Sequence, residues 1–327
     1  MRALRFHRHG PPADVLQLDE IGVREPGVGE VRIRLTHRPV NPADLSAVAG
    51  TYGLLRDLPA VGGNEGMGTI DAVGPDVTDL TVGQRVVKLG DAPTWQEAVV
   101  VPAQDALPVP DGLADDSAAQ LFVNPLTARL LLDAAPRLAS GDALILTAGA
   151  STVSRIVAQM ALREGLRPVA LVRSDMHADA LRALGMAVVL ADSDTPEARD
   201  ALREATGEAG AAAVFDAVAG AAGSLAQGAL ADGGIHVVYG ALSKAPLTVP
   251  PAALLYRSVT VRGVWRTRWF RETPRAVSRP ILDALARDAA DGVFDLPVDA
   301  TFDLADAGRA IRAATTPGRL GKVLLTG

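Results

Sequence analysis

The chain has 327 residues, a length that predicts two domains at roughly 150 residues each. Apolar residues make up 48% and charged residues 21% of the chain, a balance that excludes a disordered or collagenous protein. The formal net charge of -6 argues against nucleic acid as a partner, and the lack of any cysteine excludes disulfides, thiolate nucleophiles and Cys-ligated zinc.

The start of the chain carries no targeting signal that we recognise. Its first residues, Met-Arg-Ala-Leu-Arg-Phe-His, lack the apolar run of a signal peptide. No later stretch reaches the ~18 uninterrupted apolar residues that a membrane helix needs. We therefore expect a soluble cytoplasmic protein with no membrane partner.

The N-terminal third is predicted to be mostly β structure. Segment 31–35 alternates Val, Ile and Leu with arginines, which is the period of a strand with one wet face. Short apolar runs follow at 68–73, 84–89 and 97–101, separated by Gly, Pro and Asp. This spacing is typical of a small antiparallel barrel or sandwich.

Strands and helices alternate from about residue 143. The predicted strands are unbroken apolar runs at 143–147, 168–172, 187–190, 213–216, 235–239 and 259–264. The predicted helices between them are one that follows the N-cap candidate Ser151, one at 175–184 and one at 196–206. Unbroken apolar strands indicate a parallel sheet covered on both faces, so we predict a doubly wound domain with six strands.

The last segment of the chain is predicted to rejoin the first domain. After a helix at 278–290 come short strands and a basic end, which have no sheet of their own to complete. We therefore expect one domain of residues 1–120 with 265–327, and an inserted nucleotide-binding domain of residues 121–264.

The turn after the first parallel strand is the predicted phosphate site. It reads Thr147-Ala-Gly-Ala-Ser-Thr-Val-Ser154, and its small residues let the backbone approach a pyrophosphate at a helix N-terminus. A full G-x-G-x-x-G is absent, since Thr152 and Ser154 stand where dinucleotide folds often have Gly or Ala. An ordinary turn between a strand and a helix is the alternative interpretation.

The end of the next strand bears on the identity of the cofactor. NAD sites place Asp or Glu here to bind the ribose, whereas this chain has Arg173 and Ser174. A guanidinium binds a phosphate in bidentate fashion, so NADP(H) is favoured. In the alternative, Arg173 is only solvated and Asp175 reaches the ribose.

Several runs resemble the medium-chain dehydrogenase/reductase superfamily over nearly the whole chain. They are Val40-Asn-Pro-Ala-Asp-Leu-Ser-Ala-Val-Ala-Gly-Thr-Tyr-Gly53, Leu58-Pro-Ala-Val-Gly-Gly-Asn-Glu-Gly66, and the segments 94–98, 123–128, 238–244 and 263–269. The closest likeness is to the zinc-independent branch of mitochondrial-type trans-2-enoyl thioester reductases and quinone oxidoreductases. It implies an α/β protein with a GroES-like β-barrel catalytic domain, a Rossmann domain that binds NADP(H), and a homodimer.

Zinc is not expected in this chain. The zinc-dependent alcohol dehydrogenases of this fold hold the catalytic metal with a Cys-His-Cys set and a structural metal with four Cys. Asn64 stands where that branch has a ligand His, and the five histidines have no near partner at ligand spacing.

The resemblance places the predicted catalysis on Tyr52, with Asn41 and Trp95 beside the reacting groups. We expect the Tyr52 hydroxyl to meet the thioester oxygen while hydride reaches the β-carbon. Each of these residues also has a purely structural interpretation. Tyr52 could be a loop aromatic packed on its neighbours, and Asn41 could form an Asx turn before proline. Trp95 could be a core residue and not the wall of an acyl pocket. Asp44 and Glu65 are possible acid/base groups, although Glu65 among glycines is better suited to accept from backbone amides.

The predicted cofactor contacts lie in both domains and come in part from the resemblance. They are Asn124, Thr127, Gly149, Ala150, Ser151, Thr152, Val153, Arg173, Ser174, Tyr239, Gly240, Lys244, Trp265 and Lys322.

The leading hypothesis is an NADPH-dependent reductase of enoyl thioesters, carried by CoA or by acyl carrier protein. A quinone reductase is the alternative enzyme, and a non-catalytic nucleotide-binding or structural module is the alternative of another class. Four arginines at 262, 266, 268 and 271 suit the phosphates of CoA or an acidic carrier protein, or else form a solvated face.

Overall fold

A computed structural model describes residues 1–191 and 193–327. The chain divides into two compact units, which we call the first unit, Met1–Leu126 with Thr267–Gly327, and the second unit, Thr127–Arg266. Within the described residues no helix is long and apolar enough to cross a membrane.

The described residues form sixteen strands. They are β1 Arg2–Phe6, β2 Leu16–Glu20, β3 Glu30–Pro39, β4 Ala60–Val61, β5 Gly66–Val73, β6 Arg85–Lys88, β7 Ala98–Pro102, β8 Ala106–Pro108, β9 Ala143–Thr147, β10 Arg167–Val172, β11 Ala187–Leu190, β12 Ala211–Asp216, β13 Leu230–Val238, β14 Thr260–Gly263, β15 Val298–Asp303 and β16 Lys322–Thr326.

Twelve α-helices accompany these strands in the same described ranges. They are α1 Pro12–Val15, α2 Pro42–Ala49, α3 Asp115–Ala118, α4 Asn124–Asp133, α5 Thr152–Arg163, α6 Ala178–Ala183, α7 Pro196–Thr206, α8 Gly220–Gly228, α9 Pro251–Leu255, α10 Arg266–Glu272, α11 Arg275–Ala290 and α12 Ala307–Thr315.

The first unit is built around the long strand β3. β3 pairs antiparallel with β5, with β7 and with β16. Six strands of this sheet run in the order β15-β16-β3-β5-β6-β8, and β7 lies off that path against β3. Through the pairing of β16 with β3, the last segment of the chain packs on the N-terminal β structure. Alternation in β3 buries Val31, Ile33 and Leu35, as the period-2 pattern predicts.

A buried arginine ties the last strand to β3. The Arg38 side chain has no exposed surface, and its guanidinium donates to the carbonyl oxygens of Gln96 at 2.9 Å, Leu35 at 2.6 Å and Gly327 at 2.9 Å. Burial lowers the pKa of Arg38 to about 10. The charge is retained because carbonyl oxygens replace the water that burial removes.

The second unit confirms the predicted doubly wound sheet. Its six strands run in the order β11-β10-β9-β12-β13-β14, and every neighbouring pair is parallel. All five residues of β9 are buried, which explains its unbroken apolar run. The edge strand β14 differs, since all four of its residues are exposed.

Local signals located α5, α6 and α7 of the second unit, whereas α8 and α9 of the same unit were not predicted. Ser151 caps α5 as predicted, because its side chain accepts from the Ser154 amide. The helix predicted from residue 175 begins at Ala178 instead. Its first residues form a turn in which the Ala178 amide donates to the Asp175 carbonyl at 2.8 Å, and His177 has non-helical φ −116°.

Candidate functional site

The turn between β9 and α5 offers backbone donors to an anion. Among the described residues the amides of Ala150, Thr152 and Val153 donate to no acceptor, and they stand at the N-terminus of a helix of 12 residues. A Cβ at Gly149 would lie 2.6 Å from the Ala170 Cβ, so glycine is needed for the close approach of this turn to β10. Unpaired amides at a helix N-terminus are a phosphate-binding arrangement.

Three hydroxyls meet at the same turn. Ser151 Oγ donates to Ser154 Oγ at 3.1 Å, and Ser154 Oγ donates to the Thr147 carbonyl at 3.2 Å; the same two serines act on the Tyr239 phenol and oppose the effect of burial on its pKa. Burial raises the pKa of Tyr239 to about 12, so the phenol stays neutral and can serve as a hydrogen-bond donor. The structure thus brings together Tyr239 and the predicted serine of the turn.

The predicted phosphate-binding cations of the second unit are exposed. Arg173 and Ser174 lie just beyond β10 and are exposed, and Arg173 makes no ion pair or hydrogen bond within the described part of the chain. Lys244 is likewise exposed and unpaired there, in a left-handed conformation with φ 57°. Gly240 is packed so closely that a Cβ would lie 2.7 Å from the Ala217 carbonyl oxygen.

A buried triad that sequence reasoning missed fixes the ends of β9 and β12. Asp216 Oδ1 accepts from Thr147 Oγ1 at 2.7 Å, and Asp216 Oδ2 lies 3.0 Å from His236 Nε2. Burial opposes ionisation, but the bonds from His236, Thr147 and two backbone amides hold the pKa of Asp216 below its ordinary value. Its signal in the sequence is an acidic residue at the end of an apolar strand.

In the first unit, Tyr52 lies on the loop that follows α2. Gly50, with φ 77°, ends that helix in the left-handed region, and Tyr52 is half-buried. The Tyr52 hydroxyl lies 3.0 Å from Thr267 Oγ1, at the start of α10. Thr267 was not among the predicted site residues, because 215 residues separate it from Tyr52.

Asn41 belongs to a network of amides and buried carboxylates. Its backbone amide donates to Asp44 Oδ2 at 2.7 Å, and its side-chain amide donates to Glu65 Oε1 at 2.7 Å. Asn124 donates to Asn41 Oδ1 at 3.4 Å, and Asn64 donates to Asp44 Oδ1 at 2.6 Å. The structure therefore joins the two predicted asparagines, and Asn41 is also the N-cap residue of α2.

Burial dominates the electrostatics of this network. It raises the pKa of Asp44 to about 6 and that of Glu65 to about 7, against the bonds from Asn41. Burial also lowers the pKa of Lys322 to about 8, although Glu65 favours its charged form. Glu65 accepts from the Val123 amide at 2.7 Å, the backbone contact expected of it.

The placement of Trp95 corrects its predicted catalytic role. The side chain has no exposed surface and belongs to the core cluster with Leu4 and Phe6. Gly62 and Gly63 lie directly against its indole ring, and its Nε1 donates to the Pro39 carbonyl. A fully enclosed ring cannot wall an acyl pocket, so Trp95 is a core residue.

The remaining predicted residues differ in exposure. Trp265, in the second unit, is 39% exposed and remains accessible, whereas Thr127 of that unit is buried. Lys322, in the first unit, is buried on β16 beside the carboxylates of the Asn41 network.

The run of arginines is largely neutralised within the chain. Arg268 pairs with Glu272 and Arg271 pairs with Asp91, while Arg266 is buried. Only Arg262 of this set is an exposed side chain without an ion pair in the described ranges. The run is therefore a weaker cationic surface than its sequence suggests.

A cavity of about 800 Å³ in the second unit holds none of the predicted residues. Three arginines line it, and each is already in an ion pair: Arg199–Asp194, Arg203–Asp200 and Arg257–Asp232. Each arginine among the described residues that line the cavity therefore already has a carboxylate partner.

The side chains of the described residues do not supply the donors of a zinc site. The chain has no cysteine, and in residues 1–191 and 193–327 no group of three or more His, Asp and Glu side chains could hold a metal ion. Asn64 is engaged with Asp44. These residues do not fit a zinc centre of the alcohol dehydrogenase type.

Two family profiles match this chain. The family described as alcohol dehydrogenase GroES-like domain matches residues 27–111, in the first unit. The family described as zinc-binding dehydrogenase matches residues 152–283. The word zinc in the second description refers to the family in general, since this chain lacks the cysteine ligands of the zinc-dependent members.

Curated relatives are similar over nearly the full chain. A mitochondrial enoyl-[acyl-carrier-protein] reductase from Xenopus tropicalis is 33% identical over 97% of this chain and 92% of its own length. The human protein of the same name is 31% identical over 100% of this chain and 88% of its own.

Solved structures agree with the fold. A candidate NADPH:quinone reductase from Bacillus thuringiensis is 30% identical, with a TM-score of 0.92 and coverage of 100% of this chain and 98% of that one. A mycobacterial protein, Rv1454c, complexed with NADPH is 29% identical, with a TM-score of 0.88 and complete coverage of both chains, 100% each.

Proposed function

Because this chain belongs to the medium-chain dehydrogenase/reductase family of oxidoreductases, we propose that it is an NADPH-dependent reductase of activated C=C bonds, with trans-2-enoyl thioesters as substrates. The observation that carries the proposal is Tyr52, a half-buried phenol hydrogen-bonded to Thr267 on an irregular loop. The curated relatives named enoyl-[acyl-carrier-protein] reductase support this substrate class.

The residues of the second unit suit NADPH. The unpaired amides at the N-terminus of α5 would bind the pyrophosphate, and the free guanidinium of Arg173 would bind the 2′-phosphate. Lys244 is the second cation proposed for that phosphate. Ser174, Tyr239, Gly240, Thr127 and Trp265 complete the proposed contacts on this unit, with Asn124 and Lys322 on the first.

When bound, NADPH supplies a hydride. Addition of a hydride at the substrate's β-carbon would move the C=C electrons toward the thioester oxygen, and the resulting enolate would take a proton from water at the α-carbon. Tyr52 donates a hydrogen bond to the thioester oxygen as its negative charge develops. The side-chain amide of Asn41 would orient the carboxamide of the cofactor or the acyl group of the substrate. No zinc is needed, because the oxygen is polarised by a protein donor.

The experiment follows NADPH oxidation optically with a series of trans-2-enoyl-CoA esters and with a small quinone. Tyr52→Phe should reduce enoyl turnover by about 10² or more, the usual reach of acid catalysis, with the Kd for NADPH unchanged. The matched control is Tyr256→Phe, at a tyrosine that is 83% exposed, which should keep wild-type turnover.

Each other outcome favours another function. Turnover of quinone alone, indifferent to Tyr52, would support an NADPH:quinone oxidoreductase, the function in the names of structural neighbours. Absence of NADPH binding would refute both enzymes and favour the non-catalytic binding or structural module.

We also propose a homodimer, with acyl carrier protein or CoA as the bearer of the acyl group. The exposed edge strand β14 supports the dimer, since its backbone groups are open to pairing. The carrier is proposed from the names of the relatives.

A further inference from the structure

We propose that Thr267 is a positioning residue that holds the Tyr52 phenol in place and donates a hydrogen bond to its oxygen during the reaction. The inference rests on the proposed function, because it gives Tyr52 a partner in that chemistry. Its basis is the contact of 3.0 Å between Tyr52 Oη and Thr267 Oγ1.

The two partners differ in how firmly they are held. Tyr52 lies on the irregular segment after α2, whereas Thr267 is 4% exposed and sits in α10. α10 is anchored by Phe270, whose ring packs edge-on against Phe122 with centroids 4.8 Å apart. The helix therefore supplies the fixed point, and the hydrogen bond sets the position of the phenol on the loop.

Helix α10 has further anchors. The Arg275 guanidinium lies 3.8 Å over the Phe270 ring, and the same side chain pairs with Asp105 at 2.7 Å. Arg271 pairs with Asp91. Contacts on several sides hold the helix that carries Thr267, so its hydroxyl is pre-organised and loses little freedom on binding substrate.

The direction of the hydrogen bond follows from proton counting. A tyrosine and a threonine hydroxyl each carry one proton. If Tyr52 gives its proton to a substrate oxygen, the contact with Thr267 survives only when Thr267 donates to the phenol oxygen. In that arrangement the hydrogen bond from Thr267 stabilises the partial negative charge that develops on the Tyr52 oxygen as Tyr52 donates to the substrate.

The test compares Thr267→Val, which keeps the shape and loses the hydroxyl, with Thr267→Ser, which keeps the hydroxyl. A single hydrogen bond changes a rate by about 10-fold. We expect Thr267→Val to lower kcat by about that factor with KM for enoyl-CoA and Kd for NADPH unchanged, and Thr267→Ser to restore kcat. In a Tyr52→Phe background, Thr267→Val should cost nothing more.

The control is Thr326→Val, in the same unit, where the lost hydroxyl donates only to the Phe302 carbonyl; it should match wild type. Thermal unfolding is measured for every variant, and if Thr267→Val unfolds early, Thr267→Ala takes its place in the cycle.

The outcomes separate the two proposals. If Tyr52→Phe loses enoyl turnover while Thr267→Val keeps wild-type turnover, the inference is overturned and the proposed function remains intact. Multiplying losses in the double variant would overturn it too, because they indicate a role independent of Tyr52. Wild-type turnover in Tyr52→Phe would overturn both.

Discussion

At the scale of single residues, Glu65 and Asp44 are buried carboxyls whose hydrogen-bond donors are neutral amides. Glu65 has no exposed surface, and its two oxygens accept from Asn41 and from the Val123 amide. For Glu65, burial raises the pKa by more than the bonds from Asn41 and Val123 and the charge of the nearby Lys322 lower it. The ionisation of Glu65 should therefore be visible in the stability of the protein.

We expect Glu65→Gln to flatten the pH dependence of stability. The folded pKa of about 7 lies above the ordinary value of 4.5, so the folded state binds the proton more tightly. The stability that Glu65 contributes is then complete below about pH 4.5 and is lost as the pH rises through 7. Between these limits the free energy of unfolding, measured with denaturant, should fall more steeply with rising pH in wild type than in Glu65→Gln. If the two curves of unfolding free energy against pH are parallel, the raised pKa of Glu65 is contradicted.

Arg173 should decide the choice between NADPH and NADH. A charge-assisted hydrogen bond contributes ~1.5–3 kcal/mol, so Arg173→Ala should raise KM for NADPH by about 10-fold or more and leave KM for NADH nearly constant. The control is Arg163→Ala, another exposed arginine of the second unit, at the opposite end of α5 from the phosphate turn. An equal rise for both cofactors would mean that Arg173 does not bind the 2′-phosphate.

How far the sequence could predict individual residues depends on the distance to their partners. Ser151 was predictable because a helix cap involves residues three positions apart. Asp216 and Thr147 were not, since 69 residues separate them and neither position has a local pattern that requires the other. The burial of Trp95 depends on Gly62 and Gly63, whose packing against the ring is a tertiary fact.

At the scale of elements, β14 is an edge strand with apolar neighbours: it pairs with β13 on one side, and no strand of the described residues pairs with its other side. Val261 on this strand is 37% exposed, and Leu255 and Tyr256 just before it are 71% and 83% exposed. Open backbone groups beside apolar side chains favour pairing with another strand, and an identical strand in a two-fold arrangement is the simplest partner. This geometry is the basis of the proposed homodimer.

A charge on that edge should break the dimer. Val261→Asp places carboxylates of two copies near each other, so light scattering after size exclusion should give half the wild-type mass. Val277→Asp, at a 53% exposed valine on α11, should leave the mass unchanged. A monomeric wild type would refute the homodimer, and a dimeric Val261→Asp would place the interface elsewhere.

The sequence predicted element types better than their limits. All six strands of the second unit were found, because a parallel sheet buries both faces of each strand and leaves continuous apolar runs. The limits failed where turns compete with helices, as at residues 174–177 before α6. β14 was also predicted as a strand although its side chains are exposed, since β propensity alone does not report an edge.

At the scale of the whole molecule, the absence of cysteine predicts insensitivity to metal removal. Dialysis against a strong chelator should leave both reductase activity and the thermal unfolding temperature unchanged, because the described residues do not fit a zinc centre. A zinc-dependent alcohol dehydrogenase treated in parallel should lose activity. Activity that disappears and returns with added zinc would contradict the donor-set argument.

The pairing of β16 with β3 constrains the order in which the protein is completed on the ribosome. Arg38 and Leu325, which meet in the folded chain, are 287 residues apart. The second unit consists of one continuous segment, so all of it has been translated before β16 is made. The sheet around β3 cannot be completed before residues 322–326 are made, and until then the carbonyl oxygens that receive the Arg38 charge are not all present. A nascent chain stalled before that strand should therefore carry a folded second unit and an incomplete first unit. At this stage the first unit exposes surface that is later buried, so chaperone binding should be strongest here.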